Sequence, residues 1–161
     1  MSTEKLTFSA LLIAIGIFLG NLIYIPIGIS KCFPIQHSIN VISAVTLGSY
    51  YGTAIAFCIS CFRNILSTGS LLAFPGSMVG ALLAGIIYKK TNKIYYACLG
   101  EIVGTGIIGA LLAFPISKFI LGKNVVALFF ITPFSISTIG GSVIAFIVLK
   151  ALGKKIPISI N

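Results

Sequence analysis

Polar side chains able to do chemistry are few in this 161-residue chain, and most of them interrupt apolar runs. His37 and Asn40 stand three residues apart, so on a helix they share a face. Arg63 and Asn64 close another apolar run, and Ser135, Ser137 and Thr138 follow Pro133 in the last one. Glu101 lies among Gly100, Gly104, Gly106 and Gly109 and is, apart from Glu4, the only acid. A polar group surrounded by hydrocarbon must look into protein or a cavity, because leaving it unpaired against lipid is expensive. His37, Asn40, Arg63, Asn64, Ser135, Ser137 and Thr138 fall at a common predicted depth, which suggests one pocket opening outward. Phe33 and Phe74 are predicted at its mouth.

Each of these residues also has a purely structural reading. His37 suits a ligand or a loop carbonyl, and Arg63 and Asn64 suit either the pocket or an interface to which they snorkel. Glu101 could contact a ligand, gate, pair with Arg63 or cap a packing contact. Asn40 is the strongest candidate for ligand contact, since it lies a turn deeper and needs a partner. So few charges favour a small, neutral or weakly charged ligand, because phosphate or dicarboxylate recognition calls for convergent basic groups. Several chemistries are excluded. No glycine-rich loop ends in Lys-Ser or Lys-Thr, so no nucleotide cradle is present. One histidine and one interior acid are too few for a metal site, and no nucleophile stands with a base and a carboxylate at recognisable spacing. The expectation is a non-enzyme with no cofactor and no metal. Cys58-x-x-Cys61 lacks a second ligand pair and is read, with Cys32 and Cys98, as small hydrophobes.

The elements that must position these groups follow from composition. With 58% hydrophobic residues, 8% charged and a mean hydropathy of +1.15, a soluble domain of this length could not hide its apolar surface. The expected fold is an all-α integral membrane protein, one domain over 1–161 with six transmembrane helices in a compact bundle. The spans are predicted at about 6–25, 36–47, 53–66, 74–88, 94–114 and 125–149, the first being too long for a signal-peptide core. The second is short enough to be re-entrant. The last is expected to be kinked or broken by Pro133, with freed carbonyls and hydroxyls lining a cavity. Tyr24 to Gln36, Gly48 to Gly52, Ser67 to Ser70 and Pro115 to Asn124 read as connectors.

The net charge of +9 is spread over the ends of apolar runs, which speaks for topology and against nucleic acid. Lys5, Lys89, Lys90, Lys93, Lys150, Lys154 and Lys155 fall on the side of the termini, against Lys31, Arg63, Lys118 and Lys123 on the other, so both termini are expected in the cytoplasm. The fourth span gathers several of these signals. Pro75 fixes its first turn, Gly76, Gly80 and Ala84 make a nearly flat face for a neighbouring helix, and Tyr88, Lys89 and Lys90 anchor its end.

Six short spans, Ala10-Leu-Leu-Ile-Ala14 in the first, and Phe-Pro-Gly-Ser-Met-Val-Gly-Ala-Leu-Leu-Ala-Gly from Phe74 to Gly85 together resemble the substrate-binding S-components of energy-coupling factor transporters. Gly100-Glu-Ile-Val-Gly-Thr-Gly106 is most similar to the ThiW subgroup, assigned to the thiazole moiety of thiamine. That resemblance implies a subunit of the bacterial cytoplasmic membrane that captures a thiamine precursor from outside. It implies docking through Ala10 and Ala14 on a shared transmembrane scaffold served by two cytoplasmic ATPases. It also puts the ligand toward the outer face, under the connector after the first span. The lack of tryptophan, which thiamine-binding relatives use for stacking, favours hydroxyethylthiazole over intact thiamine, with Asn40, His37 and Glu101 as hydrogen-bond partners. Another vitamin or precursor, the pyrimidine or thiamine itself, or a non-transporting membrane assembly role are the alternatives.

Overall fold

A computed structural model describes residues 3–27, 30–123, 125–126 and 128–153. Lys154 and Lys155 of the charge argument, and Gly28 and Asn124 of the connectors, lie outside them. The described chain forms six helices: α1 Thr3–Leu22, α2 Pro34–Leu47, α3 Ser49–Ile65, α4 Ala73–Thr91, α5 Ile94–Ile120 and α6 Ile131–Leu152. Of these, α1, α5 and α6 are long and apolar enough to cross a membrane. Between α1 and α2 the predicted connector folds into an antiparallel hairpin, β1 Ile25–Ile27 against β2 Ser30–Cys32, with Ile25 opposite Cys32.

Helix α2 is the hub. Pro34 starts it, since proline's missing N–H is not needed in a first turn. At about 1.5 Å per residue its 14 residues run roughly 21 Å, short of a bilayer core of about 30 Å. Every residue of it except Ile35 and His37 is buried, and it packs against all five other helices. Protein rather than lipid surrounds it, which is why a short helix with Gln36, Ser38, Asn40, Ser43 and Thr46 is tolerated there.

Three expectations are corrected. The turn placed at Gly48 to Gly52 is one residue wide: Gly48, at φ 92°, breaks the chain, and the helix resumes at Ser49. Gly52 lies inside α3, where its lack of a side chain lets α2 come close: a Cβ there would be 3.2 Å from Ala44 Cα. The connector expected at Pro115 is helical to Ile120. Pro115 removes one backbone donor and crowds the carbonyl of Leu111, yet the helix runs on past it as the π-helical turn Ile116–Ile120. The last helix is not broken. It begins at Ile131, so Pro133 falls in its first turn, where no intrahelical bond is lost.

Small residues set the spacing of the bundle. The flat face of α4 receives α5: a Cβ on Gly104 would lie 2.7 Å from Gly80 Cα, one on Gly100 3.1 Å from Ala84 Cα, and one on Gly109 would overlap Gly76 Cα. On α1, Gly16 admits Ile59 and Gly20 faces Arg63. Gly141 of α6 lies against α2, where a Cβ would be 2.5 Å from Pro34 O and 2.8 Å from Ser38 N, whereas one on Gly140 would only touch Pro34 Cβ at 3.4 Å. Thermal unfolding in detergent should therefore separate neighbours. Gly141→Ala is expected to destabilise by about 1–3 kcal/mol through overpacking, and Gly140→Ala to be neutral or slightly stabilising.

Candidate functional site

The site grows from Glu101, which is fully buried on α5. It has room because Gly80 has no side chain: a Cβ there would lie 2.7 Å from Glu101 Cδ. Glu101 Oε1 accepts from His37 Nδ1 at 2.9 Å and from Asn40 Nδ2 at 3.0 Å, both on α2. Thr105 Oγ1, one turn along α5, lies 3.0 Å from the same oxygen and 2.9 Å from Gly76 O. Glu101 Oε2 has no hydrogen-bond partner among the described residues. Thr105 itself lies in the π-helical stretch Gly104–Gly109, into which α5 widens after Val103, a distortion that recurs at functional sites.

The compensating cation is distant and indirect. Arg63 is 1% exposed, so it does not snorkel, and Glu101 pairs with His37 instead of with Arg63. Its Nε donates to Asn21 Oδ1 at 3.2 Å, Nη1 to Gln36 Oε1, and Nη2 to Thr68 O at 3.1 Å, while Cζ lies 3.9 Å over the Phe33 ring. Thr68 is brought there by the end of α3. Ser67, at φ 58°, lets Ser67 N donate to Asn64 O and Thr68 N donate to Arg63 O, a Schellman turn with serine in the usual glycine place. From Arg63 a line of donors runs to the carboxylate. Gln36 Nε2 donates to Ser77 Oγ at 3.1 Å, Ser77 Oγ to Asn40 Oδ1 at 3.2 Å, and Asn40 Nδ2 to Glu101 Oε1. The links through Gln36 and into Glu101 run from cation to anion, while Ser77 and Asn40 exchange bonds in both directions, Asn40 Nδ2 also donating to Ser77 Oγ at 2.9 Å.

Above this relay opens a cavity of about 490 Å³. Gln36, His37, Ser77 and Thr105 form its polar floor, while Phe33, Phe129, Phe130 and Phe134 supply aromatic wall. Phe130 stands edge-on to Phe129 at 5.2 Å between centroids and tilted to Phe134 at 6.0 Å. Tyr24 and Lys31 of the hairpin, the loop Ser67 to Ser70, and Lys123 complete the rim. The hairpin is fixed to α6 by Cys32 Sγ donating to Pro133 O at 3.1 Å and Phe33 N donating to Ser137 Oγ at 2.8 Å. Burial pushes the Cys32 thiol above its ordinary pKa, which keeps it protonated for that bond.

A family model described as thiamine-precursor transporter protein (ThiW) matches residues 6–155. The chain belongs to the ThiW family. No curated protein and no solved structure matches it. Membership makes the chain a membrane transport protein concerned with a thiamine precursor, a small molecule.

Within this ThiW-family cavity, His37, Phe33 and Ser137 reach the wall directly. Asn40 and Glu101 lie one layer beneath, behind His37, Ser77 and Thr105. Asn64 does not line the cavity. Its Nδ2 donates to Ser60 O at 2.8 Å and to Ser70 O at 3.1 Å, which ties the rim loop to α3. Phe74 packs on Phe57 at 5.7 Å, away from the cavity, and Thr138 is buried with no partner for its hydroxyl among the described residues. Sequence reasoning passed over Asn21, Gln36, Ser77, Thr105 and Lys123. Gln36 carried a usable signal, standing one turn before Asn40 on the same helix face.

Arg63→Met and Glu101→Gln should each destabilise the protein by about 3–5 kcal/mol, because each strands the opposite buried charge. The double variant should cost less than the sum, with a coupling of about 0.5–3 kcal/mol although the two side chains do not touch. Unfolding measurements on the four proteins give that number, and additivity within about 0.5 kcal/mol would show that the relay is not one energetic unit.

Proposed function

We propose that the chain is the substrate-binding S-component of an energy-coupling factor importer in the bacterial cytoplasmic membrane. On this reading it captures hydroxyethylthiazole from outside. The observation that carries it is the cavity: aromatic wall on one side, a floor of a few fixed polar groups on the other, and a volume within the range of small-molecule sites. A planar thiazole ring lies against Phe129, Phe130, Phe134 and Phe33. On this reading His37 is the neutral tautomer that carries its proton on Nδ1, donated to Glu101, so that Nε2 accepts from the ligand hydroxyl. Asn40 and Glu101 thus serve the ligand by holding His37, and Ser137 does so by holding the backbone of Phe33.

The same proposal places six spans in the membrane with both termini cytoplasmic, so that the hairpin and cavity face outward. Lys5, Lys89, Lys90, Lys93 and Lys150 then lie on the inner side. Docking on the transmembrane scaffold uses the outer face of α1, where Ala10 is exposed and Ala14 half-buried, while Gly16 and Gly20 pack inward. ATP hydrolysis belongs to the two separate ATPase subunits.

Titration of the detergent-purified chain with hydroxyethylthiazole should give saturable binding at micromolar concentration, and His37→Ala should weaken it roughly 10- to 100-fold. Binding of hydroxymethylpyrimidine in place of the thiazole would overturn the ligand assignment, and absence of any saturable precursor would favour an assembly role. Replacing Ala10 and Ala14 by leucine should abolish assembly with the scaffold while the titration is unchanged.

A further inference from the structure

The charges around the cavity are all of one sign. Lys31, Arg63 and Lys123 line it, and neither acid of the chain does. Glu101 stands behind His37 and Thr105, its Oε1 already facing the donors of His37, Asn40 and Thr105. The aromatic faces carry a second sign of the same bias. Aromatic boxes ordinarily attract quaternary cations through their π faces. Here two of the lining rings are already capped by resident cations: Arg63 Cζ lies 3.9 Å from the Phe33 centroid and Lys31 Nζ 4.7 Å from that of Tyr24. Phe129, Phe130 and Phe134 remain open, and they meet each other instead of a charge.

We infer that this cavity is a charge filter, in which Lys31, Arg63 and Lys123 admit an uncharged ring and reject a cationic one. The inference rests on the reading above of a thiazole-precursor site. Its chemical consequence is specific. A free thiazole carries a neutral ring nitrogen, whereas alkylation of that nitrogen, as in the joined vitamin, leaves a permanent positive charge. The filter separates precursor from finished product by repulsion at the rim and floor, in addition to any difference in size. At about 10 Å and an effective dielectric near 20, each of these cations disfavours a unit positive charge roughly 15-fold, and the buried Glu101 carboxylate behind the floor offsets about one of the three, which leaves a net bias against the cation.

Size and charge are separated by comparing hydroxyethylthiazole with its N-methyl thiazolium, which differ by one methyl group and one charge. Calorimetric titration of the full chain in detergent should show the cation bound at least roughly tenfold more weakly. The ratio of the two affinities should shrink at about 1 M salt, where the Debye length falls to ~3 Å, and again in the Lys31→Gln/Lys123→Gln variant. A thermal-unfolding midpoint close to that of the parent certifies that this variant is folded. Equal affinities for the two compounds would overturn the filter, and so would a ratio that neither salt nor the double variant changes. If the neutral thiazole does not bind at all, the reading of the ligand fails. The filter is then judged separately on hydroxymethylpyrimidine and its N-methylated cation, with the same outcomes for and against.

Discussion

Two opposite charges buried in one small bundle, with no direct contact between them, are the constraint around which the rest is arranged. Arg63 and Glu101 are 1% and 0% exposed, and each alone would be ruinous in an apolar interior. The intervening Gln36, Ser77 and Asn40 convert the separation into an ordered series of donors and acceptors. Each of these residues comes from α2 or α4, while the charges come from α3 and α5. The relay therefore staples four helices together at one depth. In lipid, where helix association has no hydrophobic driving force of its own, such polar bonds and close packing must do the assembling.

The close packing is what makes the relay possible. Glu101 fits over Gly80, and Gly104 meets Gly80 Cα, so α4 and α5 approach near enough for Thr105 to reach both Gly76 O and the carboxylate. A side chain at Gly80 would occupy the space of the carboxylate itself. Packing and electrostatics are thus one design: the glycines that look like a helix-packing motif are also the floor of a charged site. The short α2 follows from the same logic. Because five helices cover it, its length need not match the bilayer, and its polar face can be spent on Gln36, His37 and Asn40.

Much of this was legible in the sequence, and the reasons it was legible are physical. An acid inside a glycine-rich apolar run has few places to go, so Glu101 announces an interior role. The small face at Gly76, Gly80 and Ala84 announces a close helix neighbour, though not which one. Partners at long range were not legible. Arg63 at the end of an apolar run has the same local pattern whether it snorkels or turns inward. What turns it inward is Gln36, 27 residues earlier, and a loop that brings back Thr68 O. The prolines misled for a related reason. Pro133 looks like a break only if the helix starts well before it, and the start at Ile131 is set by the packing of Phe129, Phe130 and Phe134. Lys123 was counted as a marker of sidedness, but its place on the cavity rim depends on how far α5 continues past Pro115.

The cavity runs alongside the relay, with Arg63, Gln36 and Ser77 in its lining and Asn40 and Glu101 behind it, and recognition depends on this. Gln36, His37, Ser77 and Thr105 each present an atom to the cavity and another to the buried network. Their side chains are held from behind before any ligand arrives, so little rotamer freedom remains to be lost on binding. Preorganisation of that kind suits a ligand too small to offer many contacts, since each bond must then form at low entropic cost. A floor fixed by a network of Arg63 and Glu101, and a wall of aromatic rings held by packing, supply it without any charged group of the protein needing to touch the ligand.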